Sequence, residues 1–198
     1  AGRKAFPAFA KSNSFDPASV KWQSVDPAIR ETLLAKGDVD AITGFSFTSV
    51  LNMEARGVKE ADLNVMLFNN FGVELYGNAI IAHPKLIAEK PKAVEGFLRA
   101  FNKAVKETIA NPDEAATYVK KQDALVDLAL ETRRLKMALK EVVVTPEAKA
   151  NGLGGITEDR MQRSIAETAA AYNLAKVPNG KELFNAAFLP PKADRMIR

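Results

Sequence analysis

Thr43, Gly44 and Phe45 put a hydroxyl, a backbone without a side chain and an aromatic ring at consecutive positions, just past the short stretch Val39-Asp40-Ala41-Ile42. In an open α/β sheet the loops beyond the carboxyl ends of strands line the ligand crevice. A loop of this composition suits holding a small molecule better than transforming one. Phe45 follows Gly44 at the end of the stretch instead of lying inside an element, so it either lines a ligand or joins the core.

Gly2 and Arg3 are a second candidate. They open a helix-like segment running to Ser12. Helix starts attract anions because their first N–H groups lack intrahelical partners and the helix dipole is positive there. Arg3 would either add a guanidinium to such a site or stand in solvent at a frayed start.

The other chemistry-bearing residues carry plainer readings. Asp38 and Asp40 are carboxylates two positions apart, but Asp is favoured in the turn after a helix. His83 is the sole histidine, with Pro84 after it and no second ligand at metal spacing. No Gly-x-Ser-x-Gly elbow precedes it, so it reads as a structural histidine at a strand end. Gly152-Leu153-Gly154-Gly155 follows no clear strand and lacks both the Lys-Ser/Thr and the full dinucleotide fingerprint, which leaves a turn between helices. Cysteine is absent, which excludes disulfides, thiolate catalysis and cysteine-based metal sites. No metal or organic cofactor is implied.

The elements that must position these residues alternate in type over the first 71 positions. Residues 2–12 carry Phe6, Phe9 and Ala10 on one face, with Pro7 expected in the first turn. Val20–Val25 alternates as a strand. Asp26 caps a helix that Pro27 opens and Gly37 stops. Val39–Thr43 is a second strand, a helix covers about 47–56, and Leu63–Phe68 is an apolar third strand. Helices between strands imply parallel pairing. Glu74–His83 reads as a longer extended segment interrupted by Gly77, with a lobe boundary near Tyr76 to Asn78. Beyond it the chain is mostly helical. Pro91 opens a helix with Val94, Phe97, Leu98, Phe101, Val105 and Ile109 on one 3.6-residue face, Asn111-Pro112 breaks it, and further helices carry Leu128, Leu135 and Leu139, then Ile165 and Ala169.

With 47% apolar and 26% charged residues among 198, the chain has ample material for a core. Its apolar runs are too short for a membrane span. The formal charge of +4 is spread as alternating signs along predicted helices, with no basic stretch interleaved with aromatics, so no nucleic-acid partner is expected.

Five segments match a known pattern in order and spacing: Ala1-Gly-Arg-Lys-Ala-Phe6, Gly37-Asp-Val-Asp-Ala-Ile-Thr-Gly-Phe45, Glu74-Leu-Tyr-Gly-Asn78, Lys90-Pro-Lys-Ala-Val-Glu-Gly-Phe-Leu-Arg-Ala-Phe101 and Ala110-Asn-Pro-Asp-Glu-Ala115. Over essentially its whole length the chain resembles the periplasmic substrate-binding proteins of ABC importers, in the branch for nitrate, sulfonates, taurine and thiamine-precursor pyrimidines. The resemblance implies an α/β, type II periplasmic-binding-protein-like fold that is incomplete. Residues 1–75 would form the α/β ligand-binding part of the second lobe. Residues 76–198 would give a hinge strand and the mostly helical remainder of the first.

It further implies ligand contacts from Gly2, Arg3, Thr43, Gly44, Phe45, Tyr76, Gly77 and Asn78, with Tyr76 to Asn78 at the hinge. The implied function is non-enzymatic capture of a small anionic or heteroaromatic ligand by hinge closure, in the periplasm, followed by docking on an ABC permease at the membrane. The alternative is an enzyme or ligand-sensing domain on the same fold, which would draw on Asp40 or Glu74. Related pyrimidine synthases that consume their own histidine require a cysteine-rich motif, which this sequence lacks. Family members also begin with several elements of the first lobe that have no counterpart here. The expectation is a C-terminal portion that binds weakly or not at all on its own and tends to self-associate through open strand edges.

Overall fold

The computed structural model describes residues 2–197. Among them there is no β-strand: the elements are helices and short helical turns joined by extended or irregular segments. The expected parallel sheet is therefore corrected. Val20 (φ −96°, ψ 124°), Leu63 (φ −102°, ψ 133°) and Leu67 (φ −73°, ψ 123°) do have extended backbone. Extended backbone becomes a strand only when a neighbour accepts and donates its ladder bonds, and Val20–Val25, Val39–Thr43, Leu63–Phe68 and Glu74–His83 form none. Alternation in the sequence specified the conformation and not the partner.

The chain divides into two compact units. One runs from the N-terminal stretch to Tyr76 and includes Gln162–Val177; the other comprises Gly77–Met161 and the stretch from Pro178 onward.

In the first unit, α1 (Gly2–Ser12) buries Phe9 and Ala10. Phe9 stacks on Phe68 at 5.1 Å and meets Phe71 at 5.6 Å, which fastens α1 to the helical turn Phe68–Phe71. Pro7 lies inside α1 and not in its first turn, so the proline is tolerated mid-helix here. Helix α2 (Arg30–Lys36) starts later than expected. Asp26 accepts a hydrogen bond from the Ala28 N–H at 2.8 Å, forming a turn, and Ile29 precedes the helix without a side-chain cap. Gly37 ends α2 as foreseen: at φ +76° it lets its own N–H reach the Leu34 carbonyl and the Asp38 N–H reach that of Leu33, both at 3.0 Å. Helix α3 (Ser46–Glu54) packs on α2 and buries Val50, Leu51 and Met53.

In the second unit, α4 (Pro84–Glu89) leads into α5 (Pro91–Ala110), α6 (Pro112–Gln122) and α7 (Leu128–Ala138), which pack in sequence order. Asn111 caps α6 by accepting from the Glu114 N–H at 3.3 Å, and Pro112 fills its first position. The apolar face of α5 is corrected in part. Phe97 and Phe101 stack on each other at 6.1 Å but stay 55% and 45% exposed, whereas Asn102 is buried. Helix α8 (Pro146–Asn151) and helix α9 (Glu158–Tyr172) follow, and α9 continues into the first unit, where Ile165 and Ala169 are buried. Two short helices, α10 (Gly180–Leu183) and α11 (Lys192–Arg195), complete the described chain. No helix is long and apolar enough to cross a membrane among the described residues.

Candidate site at the start of the first helix

Within the first unit the structure brings Gly2 and Thr43 together. A Cβ placed on Gly2 would lie 2.5 Å from both Cβ and Oγ1 of Thr43, inside any tolerable contact. Only glycine permits this approach of the α1 start to the loop. The first N–H groups of α1 and the Thr43 hydroxyl therefore occupy one locality, and the first turn of α1 contains no acidic side chain to compensate the dipole.

Gly44 has a similar constraint on its other side. A Cβ there would come within 2.9 Å of Cζ and Nη2 of Arg30 and of Oγ of Ser49. Arg30 is held by its neighbour: Nη2 and Nε donate to Glu31 Oε1 at 2.6 and 3.2 Å, and the Ser49 hydroxyl donates to the same oxygen at 2.8 Å. Glu31 is 1% exposed. Burial pushes its carboxyl up, but hydrogen bonds from Arg30, Ser49 and the backbone, with the guanidinium charge, outweigh that and hold it below its ordinary value. The sequence reading missed Arg30, Glu31 and Ser49. The available signal was Glu31 standing three positions before Leu34, on the apolar face of α2.

Phe45 stacks on Phe47 at 5.1 Å and remains 54% exposed, so it does not belong to the core. Arg3 lies over the Trp22 ring, its Cζ 5.9 Å from the centroid. Tyr76 is half-buried at the end of the first unit, whereas Gly77 and Asn78 are exposed and open the second. A side chain at Gly77 would meet open space. The eight expected residues thus divide into Gly2, Thr43, Gly44 and Phe45 around one loop, Arg3 on the indole, and three residues at the change of unit.

The remaining candidates have structural employment. His83 caps α4, its Nδ1 accepting from the Lys85 N–H at 3.1 Å. Gly152–Gly155 connects α8 and α9, and Leu153 exchanges backbone and side-chain bonds with buried Arg195. Asp38 and Asp40 are exposed, and Glu74 pairs with Arg163 at 3.2 Å.

No curated protein and no solved structure matches the chain. The family model described as NMT1/THI5 like matches residues 1–115, a span that holds the α1 start, the Thr43–Phe45 loop and the Tyr76–Asn78 segment. That span is more than half of the chain, and the protein therefore belongs to the NMT1/THI5-like family, that of the nitrate, sulfonate and thiamine-precursor periplasmic binding proteins.

Proposed function

We propose that this protein is the solute-binding component of an ABC importer, and that it captures a small anionic or heteroaromatic molecule of the sulfonate, nitrate, taurine or pyrimidine kind. The family supplies the substrate-binding role. The observation that carries the finer reading is the contact of Gly2 with Thr43, which sets unsatisfied helix N–H groups beside a hydroxyl on a loop ending in an exposed phenylalanine. Such a place offers hydrogen bonds to an oxyanion or ring nitrogen and an aromatic surface to a flat or alkyl body.

Capture would proceed by hinge closure, with the backbone swinging where the chain changes unit at Tyr76–Gly77. The ligand-loaded form would dock on a membrane permease in the periplasm, without catalysis by the binding protein. Asp40 and Glu74, the residues an enzymatic reading would need, are exposed, and the second is ion-paired.

Calorimetric titration with nitrate, taurine, an alkanesulfonate and an aminopyrimidine tests the reading. The expected result is saturable binding of at least one, weakened about tenfold or more in Gly44→Val, whose side chain would displace Arg30 and Ser49 from the loop. Failure of all four to bind a chain that is folded by circular dichroism would overturn it.

A further inference from the structure

On the first unit, a recess of about 510 Å³ is bounded by Arg3, Lys4, Phe6, Pro7, Trp22 and their neighbours Pro17 and Ala171, with no residue of the Thr43–Phe45 loop in its lining. We propose that this recess is a separate binding site for a small planar aromatic anion, such as an arylsulfonate or arylcarboxylate. The inference goes beyond the importer reading and does not depend on it.

The ring preference comes from Trp22 and Phe6. Trp22 meets Phe6 edge-on, with centroids 5.3 Å apart and planes at 77°, and the indole is only half-buried. The indole lines the recess, and its Nε1 has no hydrogen-bond acceptor among the described residues. Pro7, Pro17 and Ala171 supply flat apolar walls that hold a ring without competing for polar contacts.

The charge preference comes from Arg3 and Lys4. Arg3 sits 5.9 Å from the Trp22 centroid, and Lys4 Nζ 5.2 Å from that of Tyr172 on α9. Both cations therefore rest on rings, and neither has a carboxylate partner among the described residues. No acidic residue lines the recess. Both also belong to the first turn of α1, whose positive end adds to the same potential. An aliphatic anion would leave the indole uncovered, and a neutral arene would leave two cations unanswered. A molecule joining a ring to one anionic group meets both demands.

Trp22 is the only tryptophan, so its emission reports the site directly. Titration with p-toluenesulfonate, excited at the red edge of indole absorption, is expected to change that emission saturably. Methanesulfonate and benzyl alcohol, which carry the charge and the ring separately, are expected to bind about tenfold more weakly or not at all. Arg3→Ala and Lys4→Ala, both at exposed positions, should each weaken p-toluenesulfonate about three- to tenfold with unchanged far-ultraviolet circular dichroism. Absence of a saturable response in folded protein would overturn the proposal. So would equal binding of either control compound, or a response that survives both substitutions together.

Discussion

Gly2 and Thr43, far apart in sequence, are in contact so close that a single added methyl group on the first would fall 2.5 Å from Cβ and Oγ1 of the second. The start of α1 and the loop after Ile42 thus form one steric unit. Gly2→Ala is expected to cost about 1–3 kcal/mol, the range for an overpacked contact. Thr43→Gly in the same chain should recover part of it. A double-mutant cycle by urea denaturation measures the coupling, and additive costs would show that α1 frays away from the loop instead of pressing on it.

Glu31 ties the same region to pH. Its carboxyl is held below an ordinary value of 4.5 when folded, so it contributes stability above that pH. The contribution is lost as pH falls through the lower folded value and both states become protonated. Stability measured between pH 6 and 3 should therefore decline with acid more steeply in the wild-type chain than in Glu31→Gln. The substitution itself should cost about 2–3 kcal/mol near neutrality, because it strips the charge partner from Arg30 and weakens the bond from Ser49. Parallel pH profiles would show that Glu31 is not the titrating group.

Arg195 fastens the C-terminal helix to the Gly152 loop. Its Nε donates to the Pro190 carbonyl at 2.8 Å and its Nη1 to that of Leu153 at 2.6 Å, while its own carbonyl accepts from the Leu153 N–H at 2.8 Å. The side chain is 8% exposed. Arg195→Met would leave buried carbonyls unpaired, and a loss of about 2–4 kcal/mol is expected. Limited proteolysis should then cut near Gly154 sooner than in the parent. An unchanged cleavage rate would mean that the loop holds its shape without the guanidinium.

Exposed apolar side chains on a segment outside any helix bear on association. Ile81 is 91% exposed and its neighbour Ile80 49%. Backbone of this kind invites pairing with a second chain. Sedimentation velocity should show concentration-dependent association, reduced in Ile81→Lys. A monomer at every concentration would dismiss the idea.

Local chemistry was readable from residue order. Gly37 stops α2, Asn111-Pro112 separates α5 from α6, and Pro91 opens α5, because each depends on φ values and capping bonds within a few residues. The sequence also singled out Gly2, Thr43, Gly44 and Phe45, by residue type and by resemblance. What it could not supply was any relation between distant segments. Alternation at Val20–Val25 and the apolar run at Leu63–Phe68 suggested strands, yet a strand exists only through a partner, and the tertiary structure gives them none. Glu31 drew no attention in the sequence, because the Ser49 hydroxyl that meets it comes from α3, 18 positions along the chain. Nothing in the residue order announced that Trp22 would have Phe6 at 5.3 Å and Arg3 over its ring. Conformation within a turn is set by neighbours along the chain, whereas burial and ladder pairing are set by neighbours in space, and only the folded chain decides those.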